Sequence, residues 1–273
     1  MISVFWSPKE GSGTTSSMLL IGIILAWKLK KKVILLNTAF QNHDMEKYLI
    51  PVSHKNMGAI ENTGVDVLLR SMRLRELNVQ NIENSALSLY SGNLQVIPGT
   101  FKISEAEYCN DMMKFLPSIL EELNNLYDYV LIDTPCGRND VSEALKRKAD
   151  RIIVNLSQCR HVIGEYFDQY HTESPELPGK QDNLYMIGSY DKDSAYNIKN
   201  LERLYKPLKK RITAVPYNTD LKDAISDAAV IEYLQKNINV EGENQNLIQE
   251  LLKVSNQIIE KGGKKHDVSG ADC

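Results

Sequence analysis

The chain has 273 residues, 42% of them hydrophobic and 25% charged, with a formal net charge of −3. That composition excludes a disordered or fibrous chain and gives enough length to bury a large core without disulfides. Mild acidity argues against broad non-specific nucleic-acid binding, which needs a basic surface. Cys109, Cys136, Cys159 and Cys273 stand far apart without metal-ligand spacing and read as free thiols of a reducing compartment.

A short apolar strand, Ile2 to Trp6, opens the chain, with no signal-peptide pattern before it. Pro8-Lys9-Glu10-Gly11-Ser12-Gly13-Thr14-Thr15-Ser16 follows and leads into an apolar helix expected over 15–29. Strand, glycine turn and helix start together make a phosphate cradle, because backbone N–H groups and the positive helix end converge on one point. The most apolar run, Met18 to Trp27, is ten residues, half of the roughly 20 a membrane span needs, so it reads as a buried core helix. Lys28, Lys30, Lys31 and Lys32 then read as a solvated helix end favoured by the macrodipole.

Further strands are expected at 32–36, 93–98, 127–133, 151–156, 184–189 and 211–215, the last stopped by Pro216. Helices are expected at 65–73, 104–126, 141–148, 162–171, 195–208, 221–235 and 245–261, with Ser104 and Glu107 forming a capping box. The polar stretch 37–62 reads as a short helix plus loops, and 172–183 as a loop. His43, His54, His161, His171 and His266 fall on loops or helix surfaces and read as exposed or capping side chains. About seven strands separated by helices predict an α/β fold, a mostly parallel sheet with helices on both faces. A single domain is expected over 1–261, followed by a flexible polar tail over 262–273.

Open sheets of this kind bind ligands beyond the carboxyl ends of the strands. The glycine turn, Asn37–Ala39, Asp133 and Pro216–Thr219 all lie there. An Asp ending a buried strand and facing a phosphate turn commonly serves Mg²⁺; its alternative is to cap the following turn.

With the loop at 9–16 and Asp133-Thr134-Pro135 on view, the chain resembles the deviant-Walker P-loop NTPases of the MinD/ParA group over roughly residues 1–235. The resemblance implies binding of ATP or ADP through Lys9, Gly11, Ser12, Gly13, Thr14, Thr15 and Ser16, with Mg²⁺ at Thr15 and Asp133 and adenine at Pro216, Tyr217 and Asn218. It also implies a homodimer, in which Lys9 reaches the phosphates of the second subunit. Thr63-Gly64-Val65-Asp66-Val67-Leu68-Leu69 and Leu94-Gln95-Val96-Ile97-Pro98-Gly99 are similar to the CpaE/TadZ branch, which localises pilus-assembly machinery. A protein partner of a pilus or secretion complex is thereby implied. So is a cytoplasmic protein recruited to a cell pole or the inner membrane surface.

Three departures from that pattern are present. Thr14 replaces the phosphate-loop lysine, Glu10 replaces a glycine, and Asn37 and Ala39 replace the Asp-X-Asp that follows strand two. Losing one charge-assisted contact weakens binding by roughly ten- to a hundredfold. The expectation is therefore a nucleotide-holding dimer with weak or no hydrolysis, Glu10 facing away from the phosphates. An active ParA-type partitioning ATPase and an empty pseudo-ATPase scaffold remain alternatives. A nitrogenase-reductase-like electron carrier is disfavoured, since Cys109 and Cys136 lack a cluster-ligand context. The last helix, with Leu247, Ile248, Leu251, Leu252, Val254, Ile258 and Ile259 apolar and no aromatic, reads as packing on its own domain or a partner rather than on a membrane.

Overall fold

The computed structural model describes residues 1–51, 58, 60, 62–89, 92–102, 104–170, 183–238 and 245–266. His54, His171, Cys273, the 172–182 part of the expected loop and the 267–273 part of the expected tail lie outside the described residues.

Eight strands form one sheet in the order β3-β4-β2-β5-β1-β6-β7-β8. They are β1 (Ile2–Trp6), β2 (Val33–Asn37), β3 (Leu87–Leu89), β4 (Leu94–Ile97), β5 (Tyr129–Asp133), β6 (Arg151–Leu156), β7 (Leu184–Tyr190) and β8 (Ile212–Pro216). All neighbours are parallel except β3, which pairs antiparallel with β4 through Leu87 opposite Val96. The eighth strand, β3, corrects the expected seven. Three residues with a half-exposed edge pattern carry too little periodic signal to be read from the sequence.

β1, β2 and β5 are buried at every position, as parallel strands covered on both faces must be. Alternate residues feed two cores. Val4, Ile34 and Ile132 point into one, while Phe5, Leu35 and Leu131 point into the other.

Helix α1 (Thr14–Ile23) runs through the second core and continues as a π turn over Ile24–Lys28. Its residues Ser17–Ile23 are all buried, which is why the segment is apolar around its whole circumference. Among the described residues, no helix is long and apolar enough to cross a membrane. At the end of the lysine run, Lys32 lies over the Tyr127 ring, 4.9 Å from its centroid.

Helices α2 (Asp44–Leu49), α3 (Val65–Leu74) and α4 (Val79–Ser85) lie between β2 and β3. The short α4 was not legible beforehand, although Asn78 caps it by accepting from Asn81 N–H at 2.9 Å. The start of α3 docks on the end of β4, with Val65 N–H donating to Pro98 C=O at 2.9 Å and Asp66 accepting from Thr100 and Phe101. This docking brings together the segments 63–69 and 94–99.

Helix α5 (Glu105–Leu126) begins at Ser104, whose hydroxyl accepts from Glu107 N–H at 3.3 Å. The expected capping box is half formed. The Glu107 carboxylate instead pairs with Arg73 at 2.7 Å and Lys102 at 3.4 Å.

Helices α6 (Asp140–Lys148), α7 (Arg160–Glu165) and α8 (Ile198–Leu204) follow in chain order. The expected 221–235 helix is two, α9 (Thr219–Ser226) and α10 (Val230–Ile238), because the chain breaks at Ala228 with a positive φ of 55°. Helix α11 (Gln245–His266) runs five residues beyond the expected end at 261, into the stretch read as a flexible tail. It buries Leu247, Ile248, Leu251, Val254 and Ile258 in the core that holds α1, and Thr213 of β8 donates to Glu250 at 2.8 Å.

Candidate functional site

The loop between β1 and α1 is built from short local bonds. The hydroxyls of Ser7 and Ser12 both donate to the Lys9 carbonyl, at 2.9 and 3.0 Å. Gly11 and Gly13 both sit at φ 74°, a left-handed conformation costly for other residues. Gly13 is the N-cap of α1, no side chain caps it, and the first return bond is Ser17 N–H to Gly13 C=O at 2.9 Å. The amides at the start of α1 therefore open ahead of the helix, where an anion can take them. Behind the loop, Gly188 of β7 presses so close that a Cβ there would sit 3.0 Å from Ser12 C=O.

β5 brings Asp133 level with Phe5 and Asn37 on its two neighbours. The Thr15 hydroxyl donates to Asp133 Oδ2 at 2.6 Å. Asp133 is buried, and burial pushes its carboxyl up to about 7. The Thr15 bond opposes that shift, and the Glu46 and Asp44 carboxylates add to it. A buried carboxylate held near neutrality beside a hydroxyl and a phosphate cradle is suited to a hard divalent cation, which favours the ionised form. These residues fit Mg²⁺, which Thr15 and Asp133 would hold and which would there neutralise phosphate charge.

A cavity of about 720 Å³ lies over the loop and is lined by Gly11–Ser16, Thr38, Asp133 and Cys136 among others. Among the described residues, its walls carry four carboxylates, those of Glu10, Asp44, Glu105 and Asp133, and no Lys, Arg or His side chain. Gly13, Ser16 and Tyr48 also line an adjoining slot of about 410 Å³ walled by Val215, Pro216, Tyr217 and Leu221. Phosphate cradle, strand-terminal Asp and this slot of mixed polarity, which also takes Asn218 and Lys222, adjoin at Gly13, Ser16 and Tyr48 beyond the sheet's carboxyl edge.

Residues 1–165 match the family described as an AAA domain. The chain belongs to it. It is 31% identical over 157 residues to a putative septum site-determining protein MinD of Emiliania huxleyi, a match covering 56% of this chain and 50% of that protein. The chain spans about half the length of the curated relatives it matches. Among solved structures it superposes on the ATP complex of a Cyanothece McdA variant with a TM-score of 0.70, at 17% identity, covering 94% of this chain and 95% of that one. It also superposes on Pyrococcus horikoshii MinD complexed with Mg-ADP with a TM-score of 0.68, at 14% identity, covering 97% and 99%. The eight-stranded sheet is the P-loop NTPase fold of the MinD/ParA proteins.

On this MinD/ParA frame the remaining candidate residues fall unevenly. Thr14 lines the cavity where the phosphate-loop lysine is absent. Lys9 is outside it, its ammonium 2.5 Å from Glu165 on α7, in a neighbouring hollow with Arg160, His161 and Gln169. Lys9 in turn holds the Glu165 carboxyl below the usual range. Asn37 cannot stand in for a water-positioning aspartate. Its amide donates to Asn42 C=O at 2.7 Å and to Glu46, and its oxygen accepts from Ala39 N–H at 3.0 Å. Asn218 lines the slot, yet its side-chain oxygen caps α9 by accepting from Leu221 N–H at 2.7 Å and from Tyr233 at 3.0 Å. Tyr217 is the exposed wall of the slot.

Glu10 corrects an expectation. Instead of facing away, it lines the cavity with its carboxylate against the Cys136 thiol, which is pushed up by burial first and by Glu10 second. The reason is topological. β5 sets Cys136 directly beside the loop, and Gly137 N–H is bonded to Ser7 C=O at 2.9 Å.

Sequence reasoning missed Asp44, Glu46 and Glu105. Glu46 is buried, accepts from Gly99 N–H at 2.5 Å, and is pushed up by burial. The available signals were weak: an Asn-His-Asp helix start at 42–44 and the first position after the Ser104 cap.

Proposed function

We propose that this chain is a Mg²⁺-nucleotide-binding positioning factor of the MinD/ParA type that acts as a homodimer and hydrolyses ATP slowly or not at all. The observation that carries the reading is the Thr15–Asp133 hydrogen bond at 2.6 Å, set at the uncapped start of α1 inside the large cavity. It supplies the metal and amide halves of a phosphate site. Slow hydrolysis is supported by what surrounds it: Thr14 in place of a cation, and Asn37 and Ala39 with their polar groups tied into the fold. The solved MinD and McdA structures that carry Mg-ADP and ATP support the choice of ligand. Lys9 is the residue we assign to the second subunit's phosphates, by resemblance.

At a finer level we assign the chain to localisation of pilus or secretion machinery, on the two segments 63–69 and 94–99. These also have a structural reason, since they dock α3 onto β4. Calorimetry with ATP and Mg²⁺ beside a phosphate-release assay tests the main reading. Binding without turnover is expected, and fast phosphate release overturns it. A fluorescent fusion that stays diffuse in cells assembling pili or secretion complexes overturns the finer assignment.

A further inference from the structure

The cavity and its adjoining slot are unlike. The slot at Pro216–Leu221, walled by Leu20, Val215 and Ile225 and by the polar Asn218 and Lys222, suits a nucleoside, and it meets the cradle at Gly13 and Ser16. The part of the cavity wall that the slot does not share includes Glu10, Glu105, Cys109, Cys136 and Asn139. A nucleotide laid with its base in the slot and its phosphates over the amides of Gly11–Ser16 points its distal end at that wall. The terminal group of a triphosphate would then stand beside the carboxylates of Glu10 and Glu105. Among the described residues no Lys, Arg or His lines the cavity to offset them. Lys9 of the same chain is taken by Glu165 in the next hollow. The one cation the site is built for, at Thr15 and Asp133, already has a buried carboxylate to neutralise.

We propose that Glu10 makes this cavity select a nucleoside diphosphate over the corresponding triphosphate. The inference rests on the nucleotide-binding reading above and narrows its ligand. The selection works by repulsion, an unpaired charge built against the longer ligand rather than a new attraction for the shorter one. A diphosphate ends over the loop amides and leaves the acidic wall to solvent. A triphosphate must bring one further negative group against it with no cationic side chain of its own subunit lining the cavity.

The test is calorimetry on the full chain with Mg²⁺, comparing ADP with the non-hydrolysable β,γ-imido analogue of ATP. ADP is expected to bind about tenfold or more tightly, the size of one uncompensated like-charge contact near a protein surface. Glu10→Gln keeps the side chain's size at an exposed position. It is expected to recover most of that factor for the triphosphate and to leave ADP binding within about twofold. Repeating both titrations with Lys9→Ala removes any contribution from a second subunit's lysine, and the preference should persist. Equal or tighter triphosphate binding by the wild-type chain overturns the selection while leaving the nucleotide-binding reading intact. A Glu10→Gln variant that shifts both ligands alike overturns the role of Glu10. Failure of both ligands to bind overturns the proposed function and this inference together.

Discussion

Lys9 Nζ lies 2.5 Å from a Glu165 carboxylate oxygen, so the residue that the family resemblance assigns to a second subunit is tied to its own chain. Arg160 and His161 crowd the same hollow, and His161 Nε2 is 3.6 Å from the same carboxylate oxygen. Releasing Lys9 should favour assembly. Glu165→Gln is expected to raise the dimer fraction at a given Mg²⁺-nucleotide concentration with only a small change in melting temperature, because the pair is partly accessible, its side chains 43% and 23% exposed, and partly screened. Sedimentation velocity reads this directly. A variant that stays as monomeric as the wild type would remove the latch from the account.

Thr14 marks the missing cation. Thr14→Lys should tighten triphosphate binding by roughly ten- to a hundredfold, the worth of one charge-assisted bond to phosphate. Phosphate release should stay slow, since Asn37 and Ala39 remain unable to orient water. Calorimetry and a phosphate-release assay on the same preparation separate the two effects.

Asp133 should govern the metal dependence. Wild-type nucleotide affinity is expected to fall on chelation, and Asp133→Asn should bind equally weakly with and without Mg²⁺. Because burial holds this carboxyl near about 7, protons compete with the metal. More Mg²⁺ should therefore be needed for half-maximal binding as pH drops below that value. Titrations of Mg²⁺ at several pH values check both statements.

Glu46 predicts a pH dependence of stability. Its carboxyl is raised above its ordinary 4.5 by burial, against the opposing bonds from Gly99 N–H and Asn37. The folded chain therefore binds the proton more tightly than the unfolded chain does. The stabilisation is complete below about 4.5 and is lost as pH rises through the folded value. Glu46→Gln keeps an oxygen for Gly99 N–H and removes the titration. Urea midpoints should fall more steeply with rising pH in the wild type than in the variant, which keeps the contribution of buried Asp133. Parallel slopes in the two proteins would contradict this.

Much of the scaffold was legible because its signals are local. Runs such as Val33–Leu36 and Val130–Ile132 are apolar at every position, which only a doubly covered parallel strand requires. Ser104 announces α5, and the glycine spacing announces the cradle. What escaped were elements with short or compensated signals. β3 has three residues, α4 has seven, and the break at Ala228 hides inside a continuous helical pattern.

The amino-acid order alone determined the strand–loop–helix cradle, the strand-terminal Asp133 and the absence of a phosphate-loop lysine, because each is a property of neighbouring residues. Only the tertiary structure decided the electrostatics of the cavity. Glu10 meets Cys136 across the loop, Glu105 arrives from α5, Asp44 from α2, and Lys9 is drawn off by Glu165 on α7. Charge acts through space at distances that the sheet's crossovers set, so the balance over the phosphates exists only once those segments are packed together.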